Sequence, residues 1–151
     1  KHFKTINSLH STRTINFNFN FNSTFNLITN ITIDNSDNLY IANYSIVSGI
    51  SKIYKFKKDY SSIQNFNKEN EKVIVNEEIK AINYVNDNIN VITNKNYYKY
   101  SFDLDIMTQE TRKIESTNNT NKFENIQDFV IDENFEIGYI AFQERLKWFY
   151  V

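Results

Sequence analysis

One pattern occurs three times along this chain, and it limits the fold more than any other feature. A strand-like stretch runs into an acidic or Asn-rich turn. A second strand, a short polar loop and an aromatic-rich third strand follow. The first copy covers Ile31 to Ala42 and then Ile50 to Phe56; the second covers Ile79 to Ile92 and then Tyr97 to Phe102; the third covers Ile126 to Ile140 and then Leu146 to Tyr150. Asp34, Asn86 and Asp132 anchor the turns, 52 and 46 residues apart. Between copies lie a fourth strand-like stretch and a polar loop: Ser62 to Phe66 with Asn67 to Lys72, and Thr111 to Glu115 with Ser116 to Lys122.

Periodicity makes these stretches strands. Ile15, Phe17, Phe19 and Phe21 alternate with Asn16, Asn18, Asn20 and Asn22, a period of two. On a helix the phenylalanines would spread around the whole cylinder. The tract also has the composition of a self-associating, prion-like segment, but its odd positions continue through Phe25, Leu27, Ile31 and Ile33 into ordinary strand sequence. Composition agrees: Ile, Val, Phe, Tyr and Trp number 52, against 9 for Ala, Leu and Met. The first group suits pleated surfaces and the second suits helices. Part of that excess is coding bias, since Asn, Ile, Lys, Phe and Tyr, all with AT-rich codons, make up 83 of 151 residues. The chain has no Pro and only two Gly. Asn and Asp are therefore expected to make the turns, because their side chains cap their own backbone and tolerate left-handed conformations.

Four short strands about every 40–50 residues is the rhythm of a propeller blade. Here the repeat resembles the WD-repeat and related β-propeller families. Phe129-Val130-Ile131-Asp132-Glu133-Asn134 sits where such a blade has its first strand and turn, Ile137 to Phe142 at the second strand, and Leu146-Lys147-Trp148 at the third; Val85-Asn86-Asp87-Asn88 and Phe102-Asp103 match in the second copy. The family's Pro, paired Gly and Trp-Asp are absent. The resemblance implies an all-β fold of antiparallel four-stranded blades, with blade-like repeats at about 27–66, 79–116 and 126–151. It also implies a non-enzymatic protein-interaction scaffold. An early strand followed by blades further resembles the opening of Elongator-scaffold-like proteins, which support wobble-uridine modification of tRNA.

Three copies are fewer than the 4–8 blades that close a propeller, and the third stops after its third strand. The chain is thus expected to be one all-β domain or part of a larger propeller, belonging to a larger chain or complex with protein partners. The alternative is a β-trefoil or β-sandwich, since three repeats of about 50 residues also fit a trefoil, which would suit a secreted carbohydrate-binding domain. Carbohydrate-binding trefoils usually carry Gln-x-Trp in each repeat; the single Trp148 has no Gln two positions before it.

Several classes of function are excluded or disfavoured. The net charge of −1 argues against bulk electrostatic binding to nucleic acid or anionic membrane. No apolar run reaches the ~20 residues of a membrane helix. Without Cys there is no disulfide, thiolate chemistry or Cys-ligated metal, which fits a cytoplasmic or nuclear location. His2 and His10 lack zinc-ligand spacing, and two glycines cannot build a phosphate-cradling loop. No catalytic residue, cofactor or metal is expected.

The remaining candidates are surface chemistry. Lys52, Lys55, Lys57 and Lys58, interleaved with Tyr54, Phe56 and Tyr60, form the most basic stretch and the candidate partner-binding site. Cations beside stacking aromatics would also suit single-stranded nucleic acid, whereas the structural reading is an amphipathic strand with lysines on its solvent side. Asp34 to Asn38 superficially suggests a calcium loop but lacks the Gly and distal Glu of an EF-hand, so a hairpin turn is expected. Asp103 and Asp105 read as exposed turn acids. Tyr97, Tyr98 and Tyr100 could stack glycans or simply pack. The Asn-x-Ser/Thr sequons at Asn22, Asn30, Asn43 and Asn118 are near chance for 25 Asn.

Overall fold

The computed structural model describes residues 16–17, 26–58, 65–105, 107–113, 126–132, 134, 137–142 and 146–150. Twelve strands and no helix occur among them. Strands β2 (Asn26–Ile33), β3 (Leu39–Ser45), β4 (Ile50–Lys58) and β5 (Asn65–Val75) form an antiparallel meander, with the short β1 (Asn16–Phe17) added in parallel beside β5. Strands β6 (Ile79–Val85), β7 (Asn88–Thr93), β8 (Asn96–Ser101) and β9 (Met107–Lys113) form a second meander, and β10 (Ile126–Asp132), β11 (Ile137–Phe142) and β12 (Leu146–Tyr150) a third. The chain is therefore all-β and antiparallel, apart from β1. Among the described residues no sheet closes on itself, so the closed barrel of a trefoil is not seen. No helix among them is long and apolar enough to cross a membrane.

The turns follow the expected chemistry. Asp37, Asn76, Asn86 and Asp87 all take positive φ, at 63°, 59°, 49° and 60°. Asn86 and Asp87 together make the type I′ turn that matches the twist of a two-residue hairpin. Gly49, at φ 67° with open space around its Cα, is needed for its backbone and not for room.

The sheets stack face to face. The Tyr40, Ala42, Ile53 and Ile74 side of the first sheet packs on the Ile82, Ile89, Val91 and Tyr100 side of the second. The opposite side of the second sheet, with Ala81, Ile92 and Tyr97, packs on Phe129 and Ile140 of the third. Contact runs mainly through the first strand of each meander, β2 on β6 and β6 on β10. Because the middle sheet is covered on both sides, β7 is buried from Ile89 through Thr93, with Asn90 satisfied by the Tyr97 hydroxyl and Thr93 by Glu77.

Two boundaries differ from expectation. The polar stretch Asn67 to Lys72 is not a loop but the middle of the long strand β5. An outer strand need not be apolar on either face, so its Asn, Lys and Glu disguise it. The Asn/Phe alternation is a strand at Asn16–Phe17, and its remaining positions up to Phe25 lie outside the described residues.

Candidate functional site

The four candidate lysines lie on β4, and strand geometry divides them. Lys52 and Lys58 share a face with Tyr54 and Phe56, while Lys55 and Lys57 share the other with Ile53. They do not form one basic stripe. Lys55 is only 3% exposed. Its Nζ pairs with Glu69 Oε2 at 2.9 Å and Asp103 Oδ1 at 3.1 Å, and lies 5.1 Å from the centre of the Phe102 ring. A β-bulge delivers Glu69: Lys55 faces Asn70 and Phe56 faces Lys68, leaving Glu69 as the extra residue on β5. Burial pulls the Lys55 ammonium down, but its two carboxylate partners more than offset this and hold it above its usual value. Lys55 is thus an internal tie and cannot reach a partner. Lys57 is exposed, Lys58 lies 3.7 Å from Asp37, and Tyr60 lies outside the described residues.

Lys55 belongs to a lock between the first and second sheets, built by the turn after β8. Asn70 Nδ2 donates to the Asp103 carbonyl at 2.5 Å and to Asp105 Oδ1 at 2.7 Å. Asp103 and Asp105 are therefore tied to the neighbouring sheet and are not a paired acid–base couple. Tyr40 reaches the Phe102 carbonyl at 2.5 Å. Leu104 drives its side chain into the shared core, 1% exposed, at φ 64°. A left-handed Leu is uncommon; burial of its side chain and the surrounding bonds hold it there.

A second lock sits at the opposite end, around Glu77 between β5 and β6. Its carboxylate accepts from Thr93 Oγ1 at 2.5 Å, Asn96 Nδ2 at 2.6 Å and the Tyr98 hydroxyl at 2.8 Å. Its carbonyl accepts from Ser51 Oγ at 2.7 Å, and that Oγ accepts from the Ile79 amide at 3.0 Å. One residue thus joins β4, the linker and the β7–β8 hairpin. Tyr98 stacks on Tyr100 at 5.8 Å, and burial with the nearby Glu77 pushes the Tyr100 phenol up to about 12. Tyr97 is buried and donates to Asn90 Oδ1 at 2.5 Å. Two of the three candidate glycan-stacking tyrosines, Tyr97 and Tyr100, are core residues.

The Asp34 turn closes on itself. Asp34 accepts from the Ser36 amide at 2.8 Å, the Asn38 amide at 2.9 Å, Asn38 Nδ2 at 2.8 Å and the Tyr40 hydroxyl at 3.1 Å. Burial raises its pKa, but these donors outweigh burial and hold the carboxyl below its ordinary value. Such a carboxylate is a hairpin cap. Among the described residues no group of three or more His, Cys, Asp or Glu side chains could hold a metal.

No family model, curated protein or solved structure matches this chain. Several large apolar side chains are outward-facing among the described residues. Ile31 and Ile33 on β2 are 60% and 54% exposed, and Val47, at the β3–β4 turn, is 74% exposed. Sequence reasoning missed Glu69, Glu77 and Leu104. No motif marks them; only the neighbouring sheet gives each its role.

Proposed function

We propose that this chain is a run of β-propeller blades serving as a non-enzymatic protein-interaction scaffold. The observation that supports the reading is the stacking order. Three successive antiparallel meanders lie face to face in sequence order, in contact mainly through their first strands. That is how blades sit around a propeller axis. The locks at Glu77 and Asp103 support a rigid frame, and rigid frames present loops to partners. Ile46 and Val47, exposed on the β3–β4 turn, are the apolar loop tip on which a protein partner would rest.

An experimental structure of the longest protein that contains this chain tests the frame. Further meanders continuing the same face-to-face order into a ring are expected; a closed barrel or a two-sheet sandwich would overturn the reading. Affinity capture with Val47→Lys tests the scaffold role. Loss of specific partners with an unchanged thermal melt is expected, and partners indifferent to every loop-tip substitution would count against it.

A further inference from the structure

We infer, independently of the blade reading, that the Asn/Phe tract Ile15–Asn22 is a homotypic assembly element, through which copies of this chain stack as parallel strands with identical residues in register. The tract lies in the longest uncharged run of the sequence. From Thr14 to Ile33, between Arg13 and Asp34, 20 residues carry no charge, Pro or Gly; six are Asn, four Phe, four Ile and four Thr. High β-propensity without charge or Pro is the signature of segments that stack into cross-β ladders.

The sheet edges set this run apart from the rest of the fold. Besides β1 and β2, the outermost described strands are β6, β9, β10 and β12. Each of those four carries charge: Lys80 on β6, Glu110, Arg112 and Lys113 on β9, Asp128 and Asp132 on β10, and Lys147 on β12. Charge on an edge strand discourages pairing with another chain. Among the described edge strands only β1 and β2 have none, and both lie inside the run.

How β1 is held identifies the occupant. Its contact with β5 is the one parallel pairing among the described strands, and it sets like on like: Asn16 faces Asn65 and Phe17 faces Phe66. The sequence Asn-Phe-Asn continues on both sides, to Asn18 and to Asn67. The fold thus contains one step of the ladder that further copies of the tract would extend. In such a ladder Asn amides bond to the Asn above and below, and aromatic rings stack. Identical charges would repel across strands ~4.8 Å apart, and the tract has none. An unlike strand could match the alternation, but only the tract itself sets Asn on Asn and Phe on Phe at every step. Two described residue pairs hold β1 to β5, so exchanging β5 for another copy opens little of the fold.

Seeded growth of the 151-residue chain, followed by thioflavin T fluorescence, tests this. Preformed assemblies should abolish the lag of fresh chain, and mass spectrometry of the protease-resistant core should find Ile15–Asn22. The chain has no Cys, so Asn20→Cys takes a single nitroxide label. Parallel in-register stacking should collapse its electron paramagnetic resonance spectrum to one exchange-narrowed line. Asn18→Lys with Asn20→Lys should abolish seeded growth, whereas Asn18→Gln with Asn20→Gln should keep it. Val47→Lys, which adds charge at an exposed residue outside the tract, should leave growth unchanged. Destabilisation promotes aggregation, so loss of growth in the Lys variant cannot come from a damaged fold. Hydrogen exchange in the assembled chain should find the β7 amides as slow as in the monomer. Failure to seed, a resistant core elsewhere, a broad label spectrum, loss of growth in the Gln variant, equal effects of Lys inside and outside the tract, or release of the β7 amides would each overturn the inference.

Discussion

At the residue scale, the buried charges separate by what surrounds them. Asp34 accepts four hydrogen bonds on one carboxylate. Asp34→Asn keeps the shape but presents an N–H to donors, and is expected to cost about 1–3 kcal/mol at pH 7. Since the folded carboxyl is held below its ordinary value, the stability it contributes is present above the unfolded value and lost as the pH falls through the folded one. Urea melts of both proteins should therefore diverge at neutral pH and converge in acid; a difference constant with pH would refute the assignment. Lys55 behaves differently, because its partners Glu69 and Asp103 are 41% and 51% exposed. Lys55→Met frees two carboxylates that water can solvate, so it should cost no more than about 1 kcal/mol. Glu69→Gln with Asp103→Asn strands a buried ammonium and should cost about 3–5 kcal/mol. The reverse ranking in chemical denaturation would show that Lys55 is not the desolvated partner. The sequence marked Asp34 as a turn cap, because that chemistry is local. It gave no sign that Lys55 is internal, since Glu69 and Asp103 reach it from 14 and 48 residues away.

At the element scale, strand order was legible and strand edges were not. Alternation and turn residues define β2, β3, β6 and β7 because one or both faces are buried and the turns need left-handed residues. Strand β5 was hidden because backbone pairing to β4 makes it a strand while its polar middle finds its partners, Glu69 on Lys55 and Asn70 on the Asp103 carbonyl, only in the folded chain. The linkers between meanders carry more of the structure than their composition implies. Glu77→Ala should cost about 2–4 kcal/mol, since it removes the acceptor shared by the Thr93 hydroxyl, the Asn96 side-chain amide and the Tyr98 hydroxyl, leaving Thr93 only the Asn96 carbonyl at 3.2 Å. Glu77→Gln, which keeps a carbonyl acceptor, should recover more than half of that loss. Equal effects of the two in guanidinium melts would mean that the side chain only fills space. Leu104→Ala relieves no backbone strain, because alanine tolerates the left-handed region no better, and it empties a buried volume. A loss of about 2–5 kcal/mol is expected.

At the scale of the whole molecule, stability should fall along the stack. The first and second sheets share a large apolar interface and are pinned by the Glu77 and Asp103 locks, whereas the third rests on Phe129 and Ile140 with the Asn83 side chain donating to the Phe129 carbonyl at 2.6 Å. Among the described residues the second interface has the smaller buried apolar cluster, and a smaller cluster opens at lower free energy. Native-state hydrogen exchange should therefore find the amides of β7 slowest and those of β10 and β11 released together well before global unfolding. Phe129→Ala sharpens the test. It removes the larger of the two side chains, Phe129 and Ile140, that the third sheet buries at the second interface, worth about 3–5 kcal/mol, but touches nothing at the first. Exchange of β10 and β11 should accelerate while β3 and β4 stay unchanged. Uniform acceleration across all three sheets would mean that they unfold as one unit, and that the third sheet is not a separable blade resting on the second.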